Sequence, residues 1–200
     1  MQRHVSDPYV QRAVAGGLRS RAAFKLQELQ SKHRLLRPGA RVVDLGAAPG
    51  GWSVVAAGII GEKGQLVAVD LLPMDPLSGN SLVIQGDFTH EQVQVQVRGA
   101  LRGGAADVVL SDMAPNFCGD KETDHLRCIS LCEEALSFAL RSLRPGGMFC
   151  CKLLKGREEG SLRSAAAEHF ESAKFIKPRA SRDSSAELYL LATGLRSPRQ

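Results

Sequence analysis

Two hundred residues, 44% hydrophobic and 24% charged, suit one globular domain with a continuous core, and no run approaches the roughly eighteen consecutive apolar residues of a membrane span. The amino terminus lacks the charged, apolar and small-residue order of a secretory signal, and five cysteines, odd in number and without C-x-x-C pairs, indicate neither a disulfide framework nor a structural zinc site. The net charge of +5 is uneven: residues 1–41 carry nine Arg and Lys residues against only Asp7 and Glu28, which suits a polyanionic partner but also resembles an organellar transit segment or a solvated helix face.

After Arg21 the apolar residues Phe24, Leu26, Leu29, Leu35 and Leu36 recur at near-helical spacing until Pro38 and Gly39 stop them, which predicts a basic helix. A short β-rich run over 41–46 leads to a glycine-opened helix over 51–60, a second strand over 64–72 and a third over 81–88. Residues 90–101, HEQVQVQVRGAL, are helix-like, although the strict Gln/Val alternation fits a strand as well. A fourth strand over 106–115, a long amphipathic helix over 124–143 closed by RPGG, and a fifth strand over 148–154 follow. A helix near 158–170, the run 173–178 and the β-rich 187–194 close the chain, with residues 195–200 expected as a disordered tail. Strands alternating with helices predict an α/β fold with a mostly parallel sheet covered on both faces, and no repeat or linker divides residues 1–200, so a single domain is expected.

In such a sheet ligands sit beyond the carboxyl ends of the strands, so the loop DLGAAPGGWS, residues 44–53, is where a nucleotide-like cofactor belongs. Its glycines let the backbone approach a ligand closely. It spells neither the lysine-bearing phosphate loop nor the G-x-G-x-x-G dinucleotide spacing. Asp44 ends the first strand, Asp70 ends the second where ribose hydroxyls are read, and Asp87 follows the third, suited to an adenine amino group. Each aspartate alone is an ordinary cap or turn residue; three at successive strand ends describe a cofactor with adenosine and no pyrophosphate, which S-adenosylmethionine fits.

The segments DLGAAPGGWS, DLLPMDPL, QGDF, SDMAPN, RPGG and KPRASRDSSAELYLLATG, in that order, resemble the FtsJ/RrmJ family of ribose 2′-O-methyltransferases from about Asp7 to Gly194. The resemblance implies a class I methyltransferase fold: Rossmann-like and doubly wound, with seven strands and helices on both faces. It also implies an S-adenosylmethionine-dependent enzyme that acts on RNA and releases S-adenosylhomocysteine. It carries over a Lys-Asp-Lys-Glu tetrad as Lys25, Asp112, Lys152 and Glu187, and cofactor contacts at Gly46, Pro49, Gly50, Gly51, Trp52, Asp70, Asp87, Phe88 and Asp112, with no metal. Trp52 fits a core anchor equally well. Met113 and Pro115 are expected to shape the site's wall and Asn116 to face RNA.

Methyl transfer to a ribose needs the 2′-oxygen in line with the sulfonium methyl and a group that orients the hydroxyl and accepts its proton; Lys152, at the end of the fifth strand, is the candidate. A lysine at its ordinary pKa is a poor base at neutral pH. Lys25 nearby would lower that pKa, whereas Asp112 and Glu187 would raise it while fixing the side chain. Alignment of the two reactants is expected to contribute more than proton removal.

Phosphate contacts are expected from Arg19 and Arg21, in a basic RNA-facing segment of residues 1–40, and from a second group, Lys155, Arg157, Lys177, Arg179 and Arg182; such contacts position a strand without reading its sequence. With 5% aromatic residues no long base-stacking platform is expected, and substrate choice falls to the shape of a folded RNA or ribosomal particle. Within the family, DLLPMDPL and SDMAPN resemble the branch that methylates a uridine of large-subunit, 23S-type ribosomal RNA, whereas the tRNA branch usually has CDGAPD. The expected protein is a monomer acting on ribosomal RNA, within the large subunit, in the cytoplasm or, in a eukaryote, the mitochondrial matrix, with any transit peptide preceding residue 1. The alternatives are a tRNA ribose methyltransferase, a catalytically idle RNA-binding assembly factor, and a nicotinamide dehydrogenase whose dinucleotide site this loop does not spell.

Overall fold

The computed structural model describes residues 16, 18–181 and 185–197. In chain order the elements are α1 (Ala22–His33), β1 (Arg41–Leu45), α2 (Gly51–Ile60), β2 (Gln65–Asp70), β3 (Ser81–Gln85), α3 (Glu91–Ala100), a 3-10 turn (Arg102–Gly104), β4 (Ala106–Ser111), α4 (Lys121–Ser142), β5 (Leu143–Leu154), α5 (Glu159–His169), β6 (Phe170–Ile176) and β7 (Glu187–Leu195). Seven strands form one sheet in the order β3-β2-β1-β4-β5-β7-β6. All neighbours are parallel except β7, which runs antiparallel to both β5 and β6. The doubly wound, mostly parallel fold expected from the alternation of elements is borne out.

Alternate strand residues feed two cores. Val43, Val109, Phe149, Leu153 and Leu190 pack under α3, α4 and α5, while Val42, Leu110, Cys150, Tyr189 and Leu191 pack under α1 and α2. Four cysteines are buried and Cys118 is exposed; all five are free thiols. No helix among the described residues is long and apolar enough to cross a membrane.

Three boundaries differ from the sequence expectation. The helix expected to run to Leu36 stops at His33, where Arg34 adopts a left-handed φ of 51° and donates its N–H to the Gln30 carbonyl. The Gln30 amide then pairs with both the N–H and the C=O of Leu36, so Leu35 and Leu36 leave the helix yet remain buried. Strand β5 begins at Leu143 rather than 148, with RPGG looping out as an irregularity: Ala106 pairs with Leu143 and Val108 with Met148. Leu195, expected in the disordered tail, closes β7, and Arg196 donates its N–H to the His169 carbonyl; residues 198–200 of that expected tail lie outside the described residues. The ambiguous run 90–101 is helical in α3 because Gln94 and Val97, three apart, share its buried face.

The chain leaves β3 and crosses back over β1 to build β4, so the strand order reverses between β1 and β4 and sets a crevice at the carboxyl edge of the sheet there. Because β7 runs antiparallel, its first residue, Glu187, pairs with Leu154 and is delivered to that same edge. At the opposite edge Asp107 fastens the starts of three strands. Its carboxylate accepts from Arg37 Nη2 (3.0 Å), from Arg41 N (2.9 Å) and Nε (3.3 Å), and from Arg144 Nε (2.6 Å). Burial alone would raise this carboxyl's pKa, but the Arg41 N–H and the three guanidiniums hold it well below the usual carboxylate range.

Candidate active site

The crevice floor is the loop after β1. Gly46 has φ 74°, and a Cβ there would lie 2.7–2.8 Å from the backbone and side chain of Met113, so the loops after β1 and β4 meet only because residue 46 has no side chain. The Ala48–Pro49 peptide is cis, and Gly50, at φ 105°, caps α2. Asp70 braces this turn: its Oδ2 accepts from Ala48 N (2.9 Å) and its Oδ1 from Leu72 N (2.8 Å). Asp44 is fully buried; Oδ2 accepts from the Ser53 hydroxyl at 2.6 Å, whereas Oδ1 has no partner. Burial pushes the Asp44 pKa up to about 7 against the Ser53 hydrogen bond, and the Asp112 and Asp70 charges add to the rise.

The tetrad positions come together on the α1/α2 side of the sheet from four separate elements. Lys25 of α1 donates from Nζ to Glu187 Oε1 at 2.5 Å, and Lys152 of β5 donates to the Asp112 carbonyl at 2.5 Å and lies 3.1 Å from Asp112 Oδ1. Tyr189, which the sequence reading did not single out, joins the two pairs: its hydroxyl lies 3.0 Å from Glu187 Oε1 and 3.1 Å from Asp112 Oδ1. Having one proton, it donates to one carboxylate at a time. It pairs directly with Lys152 across β5 and β7 and is fully buried, its ring stacked on Trp52 at 5.6 Å between centroids. Its position two residues after Glu187 on a strand is the signal that could have found it.

Electrostatics keep this chain of contacts polarised. Burial would raise the Glu187 carboxyl, but the Lys25 ammonium, with help from the Tyr189 hydroxyl and Lys152, holds it below the ordinary range. Burial, then the Asp112 and Glu187 charges, push the Tyr189 phenol well above its usual value, so it remains a donor at neutral pH. The Ser181 hydroxyl adds a third contact to Glu187 Oε1, at 3.1 Å.

Other expected residues have different surroundings. Trp52 is a core anchor, buried, with Nε1 donating to the Ala22 carbonyl at 2.9 Å. Phe88 is buried edge-on against Phe138. Asp87 Oδ1 accepts from both the N–H and the hydroxyl of Thr89, which lowers its pKa. Gly51 packs against Ser20, whose Oγ would clash with any Cβ. Arg19, expected on phosphate, donates to the carbonyls of Asp75 (2.8 Å) and Pro76 (2.7 Å), latching the segment before α1 to the loop after β2 beside Gly50. Arg21 donates to the Ala180 carbonyl and Lys177 to that of Ser185. Lys155, Arg157 and Arg179 are exposed, and Arg182 lies outside the described residues.

The model of the FtsJ-like methyltransferases matches residues 18–195. A ribosomal RNA large subunit methyltransferase E of Azoarcus sp. strain BH72 is 52% identical over 98% of this chain and 95% of its own length. The protein of the same name from Pseudomonas fluorescens is 47% identical over 98% of this chain and 93% of its own. Among solved structures, a ribosomal RNA methyltransferase from Plasmodium falciparum superposes with a TM-score of 0.79 at 26% identity, covering 90% of this chain and all of that one.

Proposed function

The chain belongs to the FtsJ-like methyltransferase family, and from that premise we propose that it transfers the methyl group of S-adenosylmethionine to the 2′-oxygen of a uridine ribose in large-subunit ribosomal RNA. The observation that carries this reading is the continuous contact chain Lys25–Glu187–Tyr189–Asp112–Lys152 at the crevice between β1 and β4. A cytoplasmic or, in a eukaryote, mitochondrial-matrix setting follows from the substrate.

The residues present fit such a methyl donor. Asp44 offers a buried acceptor with no partner at the crevice floor, and Gly46 and Gly50 let Met113 and Arg19 pack directly on the turn that forms that floor. Asp70 and Asp87 would hold the adenosine, with Asp44 answering the donor's positive charge. When bound, the donor supplies an electrophilic methyl on a sulfonium. Lys152 orients the 2′-hydroxyl and, when neutral, takes its proton at Nζ; as an ammonium it stabilises the developing alkoxide. Asp112 fixes Nζ through both its carbonyl and its carboxylate, while Lys25 and Glu187, acting through Tyr189, keep that carboxylate in place.

Tritiated methyl transfer to unmethylated large ribosomal subunits and to tRNA tests the proposal: label on subunits is expected. Label on tRNA alone would move the chain to the tRNA branch, and label on no RNA would favour an idle assembly factor. Tyr189→Phe, which deletes the bridge but keeps the stacked ring, is expected to lower kcat about three- to tenfold, the scale of one hydrogen bond. An unchanged kcat would reduce Tyr189 to packing.

Asp44 predicts a proton linkage. Its folded pKa is raised, so the folded chain binds more protons between the ordinary carboxylate range and about pH 7, and stability falls as pH rises across that window. A cationic ligand favours the ionised form, so binding S-adenosylmethionine at about pH 6 should release most of one proton, with release fading by about pH 8 and absent in Asp44→Asn. Calorimetry in buffers of different ionisation enthalpy reads this directly; zero release at about pH 6 would remove Asp44 from the cofactor site.

A further inference from the structure

We propose that Phe117 stacks on a base of the RNA, at or beside the target nucleotide; the inference rests on the RNA methyltransferase reading above. Among the described residues Phe117 is the one aromatic with most of its side chain in solvent, at 58% exposure. Trp52, Phe88, Phe138, Phe149, Phe170 and Tyr189 are buried and Phe24 and Phe175 half-buried, which leaves this ring the most exposed among the described Phe, Tyr and Trp residues.

The ring stands on the loop that leaves Asp112, at the crevice edge of the sheet. Phe117 lies five positions after Asp112, a span of about 18 Å at full extension and less in a folded loop, which keeps the ring within reach of the target nucleotide or its neighbour. The backbone on either side is held in place. Asn116 O accepts from Arg127 Nη1 (3.3 Å), and the Asp124 carboxylate accepts from Cys118 N (2.8 Å) and Gly119 N (3.0 Å). One residue on, Asp120 caps α4 by accepting from Thr123 N at 2.8 Å. A ring presented on a pre-ordered loop loses little backbone entropy when a ligand covers it.

A nucleotide of a single-stranded loop that offers its ribose 2′-oxygen to Lys152 has an unstacked base, and unstacked RNA bases are held on aromatic faces. The exposed cations Lys155, Arg157 and Arg179 are suited to phosphate and not to a base, for which Phe117 would supply the partner. One ring is a single contact rather than a platform, consistent with the low aromatic content.

The test measures methyl transfer to unmethylated large ribosomal subunits by the parent chain, Phe117→Ala, Phe117→Leu and Phe117→Trp. Both Ala and Leu are expected to raise the KM for subunits about tenfold or more, with kcat at saturation and the KM for S-adenosylmethionine unchanged, while Trp keeps the parental KM. Phe117→Leu behaving as the parent would overturn stacking in favour of an apolar contact with a protein of the particle. Equal KM values in all four chains would overturn the contact altogether. Since the side chain is exposed, thermal midpoints should coincide, and a KM rise that tracks a lowered midpoint would mark a folding defect and overturn the assignment. A parent chain that labels no RNA would instead overturn the reading on which the stack rests.

Discussion

Lys152→Ala lowers kcat for methyl transfer about 10²- to 10⁴-fold, the range of a lost general base, and leaves the KM for S-adenosylmethionine and the melting temperature near parental values. Nζ is the group that both Asp112 contacts aim at the crevice, and Asp112 keeps the Tyr189 hydroxyl after the lysine is removed, so the remaining network does not collapse. Lys152→Arg separates the two ways the lysine can act. A guanidinium keeps the positive charge but does not give up its proton, so an inactive Arg variant assigns proton acceptance to Nζ. An Arg variant with parental single-turnover rates would leave charge stabilisation as the only role.

Asp107→Ala lowers stability by about 3 kcal/mol, which for a chain of this size is a fall of about 6–12 °C in melting temperature, while transfer by the folded fraction is kept. The carboxylate is buried and joins Arg37, Arg41 and Arg144 at the starts of β1, β4 and β5; without it three guanidiniums face one another and the Arg41 N–H loses its acceptor. The guanidiniums are partly solvated, which keeps the cost from being larger. The pH dependence has a definite sign. Because the Asp107 pKa is depressed in the folded chain, its stabilisation is complete above the ordinary carboxylate range and is lost as pH falls through the depressed value. The gap in melting temperature between parent and variant should therefore be widest near neutrality and begin to narrow only below about pH 4. Equal melting temperatures at neutral pH would show the cluster to be a solvated charge pattern with no net effect.

The element order, the parallel sheet and the residues of the first loop were readable because periodicity and glycine spacing are local properties of the chain. The four tetrad positions were readable only through the family resemblance, since Lys25, Asp112, Lys152 and Glu187 are far apart in sequence and no spacing rule joins them. Tyr189 escaped because its importance depends on two acceptors delivered by different elements, Asp112 after β4 and Glu187 on β7. Arg19 shows a different limit: charge in a basic segment reads as a phosphate contact, and no local pattern announces that its Nη1 and Nη2 donate to the carbonyls of Asp75 and Pro76. The end of α1 was misplaced by three residues because Leu35 and Leu36 continue the apolar pattern beyond the left-handed turn at Arg34.

The most direct measurement is the site of the transferred methyl group. Large ribosomal subunits from cells lacking this activity, incubated with the purified chain and tritiated S-adenosylmethionine, should carry label on the 2′-oxygen of a single uridine of their ribosomal RNA, recovered as an alkali-resistant dinucleotide and absent with Lys152→Ala. Label on a base, or label that survives the loss of Lys152, would contradict ribose methylation by this lysine-centred site.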